Sequence, residues 1–216
     1  MNIVLLGYPG SGKGTQAKTL SVAFSLFHVS TGDIFREAMA AKTPLGLEAA
    51  GYISAGKLVP DALVLEVIKE RLRNETGGVL FDGFPRTVEQ ARALDSYFAS
   101  AGRRIDAVVF LDVDEESVVS RLGARRTCRK CGKIYNLLTS RPANEGSCDS
   151  CGGELVLRDD DSPSVIRNRI KVYKAQTEPL AAYYKAAGNF HPVKGGGAPE
   201  AVAAEIAAVI ESKVGR

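Results

Sequence analysis

Short apolar runs alternate along the chain with longer stretches in which apolar residues recur every three or four positions. The short runs at Ile3–Leu6, Phe27–Ser30, Val79–Phe81, Ala107–Asp112 and Asn189–Val193 predict five strands. Between them, Lys13–Leu26, Pro60–Glu75, Thr87–Ala101, Asp114–Ala124, Ser164–Ala187 and Pro199–Lys213 carry helical spacing, several opening on the Asp, Ser, Thr or Pro that suits a first turn. This alternation predicts an α/β fold in which helices flank a parallel sheet and each crossover is right-handed. Two stretches break it. Thr31–Val59 reads as short helices interrupted by Gly46, Gly51 and Gly56, and Arg126–Asp161 has little helical period and ends in three aspartates. Both read as insertions over the C-terminal edge of the sheet, where open α/β folds hold ligands. The chain then divides into a core of 1–30, 60–125 and 162–216 and two insertions, 31–59 and 126–161.

A length of 216 residues suits one domain with a small inserted module. The composition, 45% apolar and 25% charged, speaks against a disordered or disulfide-dominated chain, and a net charge of +3 is too small to argue for a nucleic-acid partner. No apolar run approaches the roughly 20 residues that span a bilayer. The opening Met1-Asn2-Ile3-Val4-Leu5-Leu6-Gly7 lacks the basic leader of a signal peptide. A cytoplasmic protein without a membrane partner is expected, and a monomer, because no exposed heptad or apolar patch is legible.

Chemistry enters after the first strand, at Gly7-Tyr8-Pro9-Gly10-Ser11-Gly12-Lys13-Gly14-Thr15. In a strand–loop–helix setting, glycines let backbone N–H groups turn onto phosphate oxygens, the following helix adds its positive end, and Lys13 reaches the transferring group. The strict phosphate-loop pattern wants Ser or Thr directly after the lysine; here Gly14 stands there and Thr15 follows, the form found in nucleoside monophosphate kinases.

All four cysteines form two Cys-x-x-Cys pairs, Cys128/Cys131 and Cys148/Cys151. This is zinc-ribbon spacing. Four thiolates would fill the tetrahedral shell of Zn²⁺ and leave no place for substrate, so the expected role is structural, a cross-link that orders an insertion too small to order itself. Two disulfides are the alternative, disfavoured in a reducing compartment.

Further on, Ser30-Thr31-Gly32-Asp33 with Arg36, Gly56-Lys57-Leu58-Val59, and Asp82-Gly83-Phe84-Pro85-Arg86 with Gln90 follow in order and spacing. With the phosphate loop, these segments resemble the signatures of adenylate kinases over nearly the whole chain. The resemblance implies a five-stranded phosphate-loop fold and reversible phosphoryl transfer, ATP + AMP = 2 ADP, dependent on Mg²⁺. It implies ATP contacts at Gly10, Ser11, Gly12, Lys13, Gly14, Thr15, Arg125, Ile134, Tyr135 and Gly197. For AMP it implies Thr31, Arg36, Lys57, Leu58, Val59, Gly83, Phe84, Pro85, Arg86, Gln90, Arg158 and Arg169. Arg121, Arg125, Arg158 and Arg169 fall on positions similar to the arginines around the family's phosphates, and Asp160 and Asp161 on acidic positions able to pair with them.

The residues agree with these roles on their own terms. Asp82 ends a buried run beside the phosphate loop, where a carboxylate can hold Mg²⁺ through water. Arg36 and Arg86 can each fork two N–H bonds onto a phosphate. The amide of Gln90 can accept from adenine N6–H and donate to a ring nitrogen. The expected catalytic group is Lys13, Asp82, Arg86, Arg121, Arg125, Arg158 and Arg169, with no role for either histidine. A kinase for another nucleoside monophosphate, a GTP-using relative and, in a different class, a zinc-ribbon nucleic-acid module are the competing readings.

Overall fold

The computed structural model describes residues 1–214. Its central sheet is fully parallel, with β1 (Asn2–Gly7), β2 (Phe27–Ser30), β3 (Val79–Asp82), β4 (Ala107–Asp112) and β8 (Phe190–Lys194) in the order β2-β3-β1-β4-β8. Between β4 and β8 in sequence lie three short strands of a separate antiparallel sheet: β5 (Arg125–Cys128), β6 (Ile134–Asn136) and β7 (Leu155–Val156), ordered β6-β5-β7.

Strand periodicity divides the core in two. Val4, Leu6, Val79, Phe81 and Val108 face one side, where they pack with Ile68 of α4 (Asp61–Leu72), Leu94 and Phe98 of α5 (Val88–Ser100), and Tyr184. Their neighbours Ile3, Leu5, Leu80, Ala107 and Val109 face the other side, against Leu20 of α1 (Lys13–Ala23) and Ile206 and Ile210 of α9 (Pro199–Val214). Both faces are covered, which is why the strands read as continuous apolar runs rather than alternating ones.

The five expected strands and the flanking helices are present, with ends displaced by a few residues. Thr31–Val59 contains α2 (Thr31–Ala40) and α3 (Pro44–Ser54), each capped by a hydroxyl that accepts a first-turn N–H: Ser30 from Asp33, Thr43 from Gly46. Between α5 and β5 lies α6 (Glu115–Gly123), capped in the same way by Asp114.

One helix differs from expectation. Ser164–Ala187 reads as continuous, but the structure divides it into α7 (Pro163–Val172), a π turn (Tyr173–Thr177) and α8 (Leu180–Ala186). Pro179 has no N–H to continue the ladder. The break also serves packing: Ile166 and Ile170 join Val118 and Leu122 in a small cluster, whereas Leu180 and Tyr184 enter the main core.

Candidate active site

A cleft of about 760 Å³ opens at the C-terminal ends of β1 and β3. Every residue that the sequence placed at a nucleotide or in the catalytic group lines it except Phe84. That ring is fully buried in the core, 5.8 Å from Phe81 between centroids, so its side chain has no place in the acceptor site as expected from sequence. The reason is its direction: Gly83 and Arg86 turn toward the cleft while the apolar ring between them turns into the sheet's core.

The loop after β1 is shaped by close approach. A Cβ on Gly10, whose φ is +86°, would meet Leu122 Cγ at 2.7 Å. A Cβ on Gly14 would lie 3.2 Å from Asp82 Oδ2, so a larger residue there would have to push the carboxylate of the neighbouring strand aside by a few tenths of an ångström. Asp82 sits beside Leu5 of β1 and Ser30 of β2 in register. The Lys13 ammonium lies across the loop and donates to the carbonyls of Gly7 and Tyr8, each at 2.7 Å. Burial pulls its pKa down to about 7; Asp82 opposes that pull, while Arg86, Arg169 and Arg125 reinforce it.

Around Lys13 the guanidinium groups divide by partner. Arg125 forks onto Asp161 with bonds of 2.7 and 2.6 Å, and Arg169 reaches both Asp161 (2.8 Å) and Asp160 (2.9 Å). The Asp161 side chain is fully buried, the setting in which a carboxylate needs such partners. Burial works to raise the Asp160 carboxyl, but Arg169, Arg125, Arg36 and Arg158 outweigh it and hold it below the usual range. Arg36 rests on Asp33 at 2.6 Å.

Arg86 and Arg158 have no carboxylate partner among the described residues; Arg86 Nε donates to the Gly83 carbonyl at 2.7 Å, and Arg158 Nε to Thr127 Oγ1 at 2.8 Å. Burial, then the charge of Arg169, lowers Arg86 to about 10; burial, then Arg125, lowers Arg158 to about 9. Burial likewise lowers Arg169, against the pull of Asp160.

Arg121 stands apart from this group. Expected among the phosphate-stabilising arginines, it lines the cleft and donates to the carbonyls of Gly195 (3.0 Å) and Gly196 (3.3 Å). Its position in the last turn of α6 faces it toward the loop after β8, which its two bonds tie down. The glycine-rich composition there is explained in part, since a Cβ on Gly195 would strike Val113 Cγ2 at 2.5 Å. Gly197 lies on the cleft wall beyond it.

The second sheet carries the cysteines. All four sulfurs lie within 4.8 Å of one another, with Cys128–Cys151 at 3.5 Å and Cys131–Cys148 at 3.6 Å. A tetrahedral ion with bonds of about 2.3 Å spaces its sulfurs by about 3.8 Å, so the four thiols fit one metal ion. Ile134 and Tyr135 differ in role. The Ile134 side chain is partly open to the cleft, whereas Tyr135 is buried with the cysteines, its hydroxyl 3.4 Å from Cys148 Sγ and accepting from the Asp149 N–H at 2.9 Å. Tyr135 therefore packs its ring in the insertion's core while the residue still borders the cleft.

Gln90 is almost completely buried on the cleft wall, and both ends of its amide already have partners: Nε2 donates to Asp61 Oδ1 and Oε1 accepts from the Arg86 N–H, both at 2.7 Å. Sequence reasoning missed Asp61, legible only as a helix start. It missed Thr177 as well, whose hydroxyl leaves the π turn to donate to the Arg86 carbonyl at 2.9 Å, and Thr127, which holds Arg158. It also missed that His28 Nε2, buried without a hydrogen bond, faces Asp82 Oδ2 at 4.0 Å. The partners are joined by pairing across the fold, which no local pattern announces.

A family model described as adenylate kinase matches residues 5–189. Proteins named adenylate kinase are similar over most of their length: one from Methanothrix thermoacetophila is 49% identical over 97% of this chain and 98% of its own, and one from Archaeoglobus fulgidus is 47% identical over 98% of both. A third, from Clostridium tetani, is 50% identical over 86% of this chain and 87% of its own. A phosphate loop facing a cluster of desolvated arginines on a parallel sheet, and a family match spanning most of that sheet, together show that this chain is an enzyme belonging to the adenylate kinase family.

Proposed function

We propose that the cleft transfers the terminal phosphoryl group of ATP to AMP and runs the reverse reaction from two ADP. The observation that carries this reading is the row of cations, Lys13, Arg86, Arg125, Arg158 and Arg169, between two differently built walls. One wall, from Ile134 to the Gly195–Gly197 loop, takes the donor base; the other, from Thr31 through Lys57, Leu58 and Val59 to Gln90, takes the acceptor, with Arg36 released from Asp33 onto its phosphate. The acceptor oxygen belongs to a phosphate and is already anionic, so no general base is needed and positioning with charge neutralisation supplies the catalysis. Lys13 follows the migrating group, and the arginines hold the oxygens on either side of it.

Asp82 would hold Mg²⁺ through water, and the ion when bound supplies further neutralisation of the donor phosphates. In the same reading the four cysteines hold a structural Zn²⁺, the 126–161 segment is the lid over the donor, and 31–59 closes over the acceptor, excluding water as a competing acceptor. A cytoplasmic setting belongs to this reading because it keeps the four thiols available to the metal.

Product analysis with MgATP and, separately, AMP, CMP, UMP and GMP tests the reaction: rapid ADP formation with AMP alone is expected, and faster turnover with another acceptor contradicts the assignment. A pH test follows from Lys13. With its pKa lowered to about 7 in the free enzyme, Lys13 is largely neutral at pH 8 and charged at pH 6. Phosphates bound beside it favour the ammonium, so MgATP binding at pH 8 takes up most of a proton and binding at pH 6 takes up only about a tenth of one. Calorimetry in buffers of different ionisation enthalpy reads this uptake; its absence at pH 8 refutes the lowered pKa. Finally, removing zinc with a strong chelator is expected to lower the thermal midpoint and open 126–161 to protease. A metal-free protein with an unchanged midpoint and the same protease resistance overturns the structural role.

A further inference from the structure

We infer that Asp61 determines which purine the acceptor site reads, by fixing the orientation of the Gln90 amide. The inference rests on the reading of Gln90 as the residue that meets the acceptor base. Asp61 begins α4, is absent from the cleft wall, and uses both carboxylate oxygens behind it: Oδ2 accepts from Thr87 Oγ1 at 2.8 Å and Oδ1 from Gln90 Nε2 at 2.7 Å. Thr87 in turn accepts from the Gln90 N–H at 3.1 Å as the cap of α5, so backbone and side chain of Gln90 are tied to one carboxylate.

The two ends of a carboxamide are nearly the same in size, and only their partners decide which end is where. A carboxylate can only accept, so the NH2 end must face Asp61; a backbone N–H can only donate, so the oxygen must face Arg86. Two partners of opposite character therefore select the same orientation. After these bonds, Nε2 keeps one hydrogen and Oε1 one lone pair for a ligand.

That remaining pair of groups is directional. A 6-aminopurine presents an N–H donor at position 6 beside an acceptor at N1, whereas a 6-oxopurine presents an acceptor at position 6 beside an N–H donor. With the acceptor phosphate held by arginines, the base edge arrives in one sense, and an amide held one way suits the amino form while a turned amide suits the oxo form. A buried polar array that cannot turn rejects the mismatched edge because groups on both sides are left unpaired. Removing Asp61 leaves only the Arg86 N–H to orient Gln90, and the amide can then turn or bind water. Asp61 is thus a positioning residue, acting on the acceptor only through Gln90.

The test compares kcat/KM for AMP and for IMP, the 6-oxo acceptor, within each protein preparation, so that loss of folded enzyme cancels in the ratio. For Asp61→Ala the AMP:IMP ratio is expected to fall about tenfold, the scale of one lost hydrogen bond. The fall should come from a raised KM for AMP, with kcat at saturating AMP and the KM for ATP retained. Asp61→Asn, which still offers an oxygen to Nε2, should restore most of the ratio. Equal losses for AMP and IMP in Asp61→Ala, or a fall in Asp61→Asn as large as in Asp61→Ala, overturn the inference. Gln90→Ala separates the two levels. If it collapses the ratio while Asp61→Ala does not, the base reading stands and the role of Asp61 fails. If Gln90→Ala leaves the ratio intact, Gln90 does not read the base and the inference fails with that reading.

Discussion

The constraint on which the structure depends is the cost of keeping several positive charges together away from water. Lys13, Arg86, Arg125, Arg158 and Arg169 surround one space, and burial lowers the pKa of Lys13, Arg86, Arg158 and Arg169. Desolvated like charges destabilise a fold unless carboxylates or hydrogen bonds offset them. The protein offsets only part of this. Asp160 and Asp161 neutralise Arg125 and Arg169 and fix their geometry, whereas Arg86 and Arg158 are given a carbonyl and a hydroxyl, and Lys13 two carbonyls. The unneutralised remainder is what a polyphosphate supplies, and the free protein holds the cations in place before it arrives.

The fold serves that arrangement through register. Alignment of Leu5 with Asp82 and of Ser30 with Asp82 brings the phosphate loop, the acidic strand end and the cap of α2 to one edge of the sheet. The second sheet then brings Arg125 to the cleft, and Thr127, two residues along β5, holds Arg158 there. Cys128 follows on that strand. The metal-sized thiol cluster is therefore joined by a few bonds of backbone to the residues that hold Asp161 and Arg158.

Much of this was legible in the sequence because its signals are local. The glycines and lysine of the phosphate loop, the alternation of strand and helix, and the two cysteine pairs each declare themselves within a few residues. What was not legible depends on distant pairing. The direction of Phe84 into the core, the bonding of Arg121 to the glycine loop, and the commitment of the Gln90 amide to Asp61 are set by contacts across the sequence. The π turn that places Thr177 on Arg86 is another case, since it arises where one helix must serve two separate cores around Pro179. Residue type pointed to Arg121 and Gln90 as cleft residues, and both stand on its wall, while the partners that orient them are set by pairing across the fold.

The claim that the cleft stores unneutralised charge for a polyphosphate is tested most directly by the thermal midpoint of Arg158→Met, measured with and without saturating MgADP. Arg158 is desolvated, and its Nε bond goes to a neutral hydroxyl, so methionine removes a charge the free protein holds at a cost. The account predicts a free variant with a higher midpoint than the natural protein and a smaller rise on adding nucleotide. A free variant that melts lower, with an undiminished rise on nucleotide binding, contradicts it.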